Sequence, residues 1–184
     1  MLHFGSGRFH ARLATEVDDG NPGRLEQDFA LLRGEALGRR SGAAHDSVYG
    51  TNRLLVPATV QAASVDSNVE ARDRDLRSKR FFDVERFPTL TFASAAISDV
   101  ASNRGKVRGM LTMHGVSKEV VLDTEYLGKG KDPWGNTRYG FHAETKINRK
   151  DFGMTWNEVV EAGGVLVGDE VEIALDVEAV PAKP

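Results

Sequence analysis

The feature that most constrains this chain is an apolar–polar alternation with a period of two residues, which returns segment after segment over its second half. It is clearest over residues 170–180, where Val171, Ile173, Leu175, Val177 and Ala179 take one phase and Glu170, Glu172, Asp176 and Glu178 the other. Successive side chains of a β-strand point to opposite faces, so this segment reads as a strand with one buried and one wet face. Tyr139, Phe141, Ala143, Thr145 and Ile147 alternate in the same way with Arg138, His142, Glu144 and Lys146. Val120, Leu122, Thr124 and Tyr126 oppose Glu119, Asp123 and Glu125, and Val107, Leu111 and Met113 oppose Lys106, Arg108 and Thr112. Leu90, Phe92 and Ala96 are the inner positions of residues 89–98, and residues 56–65 form an apolar run that stops at Asp66. Six such strands, punctuated by Asn, Asp, Gly and Pro with no long helix between them, predict an all-β fold: an antiparallel sheet curled into a barrel or sandwich. One short helix is expected near residues 68–78, capped by Ser67 or Asn68, with Val69, Asp73 and Leu76 on one face.

Composition excludes several functions. A chain of 184 residues suits one compact domain, and a formal net charge of -3 is not the electrostatic footprint that nucleic acid selects. With Cys 0 there is no disulfide, thiolate or iron–sulfur chemistry. The longest uncharged runs, residues 54–65 and 87–98, fall short of the roughly 18 apolar residues of a spanning helix, so no integral membrane segment is expected. The first residues show no continuous apolar stretch and reach Glu16, Asp18 and Asp19 early, which predicts a cytoplasmic address.

The basic residues are unevenly divided. Residues 1–78 hold ten Arg and no Lys, and the rest hold six Arg and eight Lys. Over residues 1–50 no sustained strand period is read, and the one regular signal is a short helical spacing of Leu25, Phe29 and Leu32 within residues 24–33. Residues 1–54 therefore read as a poorly determined segment, and residues 55–184 as the barrel domain.

Phosphate-loop, zinc-protease, serine-hydrolase and dinucleotide-binding motifs are absent, and no cofactor or metal is expected. Gly128-Lys-Gly-Lys131 with the following Asp132, Pro133 and Trp134 reads as a mobile hairpin connection. His114 and His142 have no carboxylate at ligand spacing, so a structural hydrogen bond is the expected role of His114. The charges of residues 72–77 read as a solvated helix face or, more sharply, as a buried Arg72–Asp73 pair clamping the strand at residues 56–65.

Taken together, four segments resemble the YceI family. They are residues 64–78 continued by Phe81-Phe-Asp-Val-Glu85 and Phe87-Pro-Thr-Leu-Thr-Phe-Ala-Ser94; residues 107–118 with Met113-His114-Gly115; residues 139–154 with Asn148-Arg-Lys-Asp-Phe-Gly153; and Val167-Gly-Asp-Glu-Val-Glu-Ile173. The resemblance covers about residues 56–180 and implies a lipocalin-like antiparallel barrel with one or two short helices, holding a polyisoprenoid or related lipid chain. Two departures accompany it. Asp75 stands where the family has a histidine before Leu76, so no contact of that histidine carries over. Residues 1–54 do not show the family's two opening strands beyond the echo Gly7-Arg8-Phe9, which suggests a divergent, rearranged or wrongly translated segment and a wall with unpaired edges.

On this reading the protein captures rather than reacts, sequestering or transporting a long-chain isoprenoid or fatty-acid-like lipid, because burying a chain needs apolar lining and no acid, base or nucleophile. The expected lining is Leu90, Phe92, Leu111, Met113, Val120, Leu122, Tyr126, Tyr139, Phe141, Ile147, Val171, Ile173 and Leu175, with Lys146 and Arg149 at a polar mouth. Two other readings compete. One is a structural or stress-related homodimer without ligand, formed through the open edge; the other is a small-substrate barrel enzyme that uses His114 or His142.

Overall fold

The computed structural model describes residues 2–5 and 8–17 as backbone, and residues 57–159 and 167–181. The strands are β1 Leu2–Gly5, β2 Arg8–Val17, β3 Pro57–Gln61, β4 Val65–Asp66, β5 Thr89–Ala101, β6 Arg104–Met113, β7 Val116–Lys131, β8 Thr137–Asn148 and β9 Glu170–Pro181. Among the described residues they form one sheet in the order β3-β5-β6-β7-β8-β9-β2-β1-β4. The two edge strands, β3 and β4, are consecutive in the chain and joined only by the 3-10 turn Ala62–Ser64. The sheet therefore curls until its edges meet at that corner, which is the all-β, lipocalin-like barrel that the alternation and the resemblance imply.

Every ladder from β3 through β5, β6, β7 and β8 to β9 is antiparallel. Register shifts between Ser94 and Ala96 and between Tyr126 and Gly128 supply the bulges that increase local twist and bend a long sheet. The β6–β7 connection has two residues, His114 at φ 52 and Gly115 at φ 75, the pair of positive φ values that a type I′ hairpin demands. A side chain on Gly115 would also strike Phe87, whose ring lies 2.5 Å from the place of a Cβ.

The N-terminal segment departs from the expectation of missing strands. Strands β1 and β2 pair with each other as a hairpin, β2 runs parallel to β9 from Arg8 opposite Glu172 to Val17 opposite Pro181, and β1 runs parallel to β4. Over residues 8–17 Phe9, Ala11, Leu13 and Val17 do alternate with Arg8, His10, Arg12 and Glu16, but the run is isolated, with no second patterned segment beside it in the sequence. Its pairing partner lies some 160 residues away, so only the assembled sheet joins the two. The helical spacing at residues 24–33 and the boundary at 54/55 lie outside the described residues.

Helix α1, Glu70–Arg77, begins at Val69 with no side-chain cap. Ser67 serves the opposite purpose: its backbone N–H (2.8 Å) and hydroxyl (2.6 Å) donate to Oδ1 of the buried Asp73. Those two bonds to the ionised form, the hydroxyl's first, hold the Asp73 carboxyl below its ordinary pKa. The clamp onto residues 63–65 is made by Arg77, not Arg72: Arg77 Nε donates to Ala63 O at 2.9 Å and its Nη2 to Val65 O, while Arg72 is exposed. The helix thereby fixes the corner where the sheet edges meet, and Leu76, Phe81 and Phe82 pack beneath it into the core.

Candidate functional site: an apolar cleft inside the barrel

The inward phases of β3 and β5 to β9 meet in an apolar cleft. Ten of the thirteen expected lining residues are there: Leu90, Phe92, Leu111, Met113, Val120, Leu122, Ile147, Val171, Ile173 and Leu175. Ala58 and Val60 from β3, Met154, Thr91 and Thr145 complete it. Among the described residues Thr91 and Thr145 are the only polar members of the lining, and none of its described side chains is ionisable. Ala58 and Val60 lay within the apolar run at residues 56–65 but without a clear phase, and Met154 lies past the end of any strand, so alternation did not single them out.

Tyr126, Tyr139 and Phe141 share the inward phase but not the cleft. They form a second core cluster with Ala179, Ile97, Val100 and Val177, in which the Tyr126 and Phe141 rings lie 5.5 Å apart. A strand rises about 3.3 Å per residue, so Tyr139 stands roughly 25 Å along β8 from Ile147. Parity assigns both to one face without saying how far apart along the barrel they fall. The opposite end, nearest Ile147 and Val171, is packed by Phe81, Phe82, Phe152 and Met154, with Trp156 edge-on to Phe81 at 5.3 Å.

Close packing narrows the cleft on the β5–β6 side. Phe92 lies across Gly109, where an added Cβ would come 2.4 Å from the ring and 2.5 Å from the Ala93 carbonyl oxygen. Only glycine lets the two strands and this ring coexist there.

The two residues expected at a polar mouth have other work. Arg149 is 3% exposed and all five of its N–H donors are engaged. Nε donates to Gly168 O (2.8 Å), Nη1 to Trp156 O (2.8 Å) and Met154 O, and Nη2 to Val167 O (3.4 Å) and Asp169 Oδ1 (3.2 Å). It is the hub that ties residues 154–156 to 167–169, with no donor left for a ligand headgroup. Parity carried a signal for this, because position 149 continues the inward series 139 to 147. Lys146 is exposed and pairs with Glu170 at 3.0 Å, a bond that raises its pKa. Asp169 accepts from Lys150 at 2.7 Å as well as from Arg149, and these cations, Lys150 first, lower its pKa.

Neither histidine lines the cleft. His114 Nδ1 lies 3.1 Å from Phe152 O, the structural role expected of it, and its ring meets Phe87 edge-on at 4.8 Å. His142, for which no carboxylate partner was foreseen, has two: Nδ1 lies 2.8 Å from Asp176 Oδ1 and Nε2 3.1 Å from Glu144 Oε1. Asp176 is its cross-strand neighbour on β9 and Glu144 is two residues along β8, so sheet register makes the group. The bond to Asp176, then that to Glu144, raises the His142 pKa. Among the described residues no group of three His, Cys, Asp or Glu side chains is arranged to hold a metal, and no helix is long and apolar enough to cross a membrane.

A curled, mostly antiparallel sheet with an apolar interior cleft defines a lipocalin-like barrel. The chain belongs to the YceI-like domain family, whose family model matches residues 7–179, beginning inside the segment where the sequence showed no counterpart. It is 40% identical over 128 residues to protein YceI of Salmonella arizonae, a match that takes in 70% of this chain and 63% of the relative. It is also 40% identical over 99 residues to a UPF0312 protein of Vibrio cholerae serotype O1, covering 54% of this chain and 52% of that one. The chain thus spans between half and two thirds of the curated relatives it matches. Among solved structures, the Campylobacter jejuni YceI protein superposes with a TM-score of 0.61 at 26% identity, over 80% of this chain and 94% of that chain. BcnA of Burkholderia cenocepacia superposes with a TM-score of 0.54 at 25% identity, over 64% and 69%.

Proposed function

We propose that the protein binds the hydrocarbon chain of an amphiphilic lipid, of isoprenoid or fatty-acid type, in the interior cleft, and carries or sequesters it without chemical change. The observation that carries this reading is the lining: of its fifteen described residues only Thr91 and Thr145 are polar. Removing apolar surface from water contributes roughly 25 cal/mol per Å², so such a cleft gains free energy from a chain, and none of its described lining residues is ionisable. Family membership supports a ligand-holding barrel. The buried Arg149 is not part of this site, and the headgroup is left toward solvent.

Ile173 lines the cleft while only half-buried, so Ile173→Trp fills the space without displacing a fully packed side chain. The expected result is loss of retention of a radiolabelled fatty acid or isoprenoid alcohol, with the fold kept and the melting temperature lowered by several degrees at most, since overpacking costs about 1–3 kcal/mol. A parent protein that retains no chain, or an Ile173→Trp variant that retains it undiminished, overturns the proposal.

A further inference from the structure

The barrel carries a second apolar feature that the interior does not use. The β7–β8 connection, residues 132–136, holds Trp134 at 80% exposure, and Leu127 at the preceding bulge is 61% exposed. An exposed indole on a wandering loop would mean little, but this loop is built. Asp132 accepts from the backbone N–H of Trp134 (3.0 Å) and of Asn136 (2.9 Å), from Asn136 Nδ2 (2.9 Å) and from Arg138 Nε (3.2 Å). Backbone bonds from Asp132 N to Asn136 O and from Gly135 N to Asp132 O close the turn, and Gly135 at φ 86 takes the left-handed position. The expected hairpin is closed by hydrogen bonds of its own and presents a large amphipathic ring to solvent.

The hairpin's charge is net positive. Residues 127–138 contain Lys129, Lys131 and Arg138 against Asp132 alone, a local net charge of +2 in a chain whose total is -3. Asp132 does not offset the lysines, because its side chain is 4% exposed and faces Arg138 at 3.1 Å, which also reaches Glu178 at 3.3 Å. Lys129 and Lys131 are exposed, and their cross-strand neighbours are Tyr139 and Thr137, not carboxylates. A tryptophan with an apolar body and a polar N–H, flanked by lysines, matches the boundary between acyl chains and anionic headgroups.

We propose that this hairpin tip is the surface by which the protein docks on an anionic lipid bilayer, with Trp134 seated at the headgroup level and Lys129 and Lys131 meeting the lipid charge. The anionic bilayer is favoured over a protein partner because the feature is a single ring on a narrow tip, too small for a stable protein interface, with cations placed around it. The inference stands apart from the interior cleft: docking and chain retention are read by different experiments and either can fail alone.

The test is co-sedimentation of the full chain with phosphatidylcholine vesicles and with mixed phosphatidylcholine/phosphatidylserine vesicles, at low and at high salt. Binding is expected on the mixed vesicles only and is expected to fall with salt, since exposed charges are screened within about 10 Å at 0.1 M. Trp134→Ala should weaken it about tenfold or more, and Lys129→Gln and Lys131→Gln by about fivefold each. Circular dichroism checks that these surface variants keep the fold. The proposal is overturned if the parent ignores the mixed vesicles, in which case the tip is free for a protein partner. It is equally overturned if Trp134→Ala binds as the parent does, or if the lysine changes and the anionic lipid make no difference.

Discussion

Arg149 and His142 stand seven residues apart, His142 in the middle of β8 and Arg149 just past its end, each bonded to more than one partner, and the protein uses them in opposite ways. Arg149 is inside, with a carboxylate and four carbonyl oxygens around its guanidinium, and loops with no regular structure of their own are organised by it. His142 lies on the outer face between two partly exposed carboxylates, where water solvates whatever the sheet does not. The same kind of contact is worth several kcal/mol where the partners cannot be rehydrated and tenths where they can. The number of hydrogen bonds therefore ranks the two sites poorly, and the access of water ranks them well.

The sharpest break of this comparison is Arg149→Met. It preserves apolar volume but removes the side-chain donors to the carbonyl oxygens of residues 154, 156 and 168, while Val167 O keeps Asn157 Nδ2 at 2.7 Å, and a loss of about 3–5 kcal/mol is expected in urea denaturation, as for removal of one partner from a buried charged network. Arg149→Lys should recover little, because one ammonium cannot reproduce the planar fork. A cost below about 1 kcal/mol for Arg149→Met would show that the hub is ornamental.

Asp169 lies between the extremes, since it touches Arg149 from the inside and Lys150 from the outside. Its pKa is lowered, so its contribution is present above the ordinary carboxylate value of 3.8 and is lost as the pH falls below it through the folded value. Asp169→Asn should reduce the urea midpoint less than Arg149→Met does and flatten the acid limb of the stability profile. An acid limb identical to the parent's would remove Asp169 from the network.

The smallest effect is expected at His142. Its pKa is raised, so the stabilisation is complete below the ordinary value of 6.5 and disappears as the pH rises through the folded value. The parent should therefore lose up to about 1 kcal/mol between pH 6 and 9 that His142→Gln does not lose. Parallel pH profiles for the two proteins would sink this assignment.

Much of the fold was legible without a structure. The six patterned strands appear as β3 with β4, and as β5 to β9, and the helix falls at Glu70–Arg77 within the expected span. Ten cleft residues were also legible, because a period of two is a local property and states which side chains share a face. What alternation does not state is register. His142 acquired Asp176, residues 8–17 acquired β9, and the thirteen inward residues divided into a cleft and an aromatic cluster, all through pairings between distant segments. Residues 72–77 show the same limit, for the sequence placed the charges on one helix but not which of them, Arg77, would meet the corner at residues 63–65.

The sequence by itself determined the six patterned strands, their inward faces and the family to which the chain belongs, because side-chain direction and turn chemistry are set within a few residues. Only the tertiary structure decided that Arg149 is a buried hub, that Gly109 makes room for Phe92, and that Trp134 is exposed on a hydrogen-bonded tip. Those outcomes depend on solvent exclusion and cross-strand distance, which exist only once the sheet has curled upon itself.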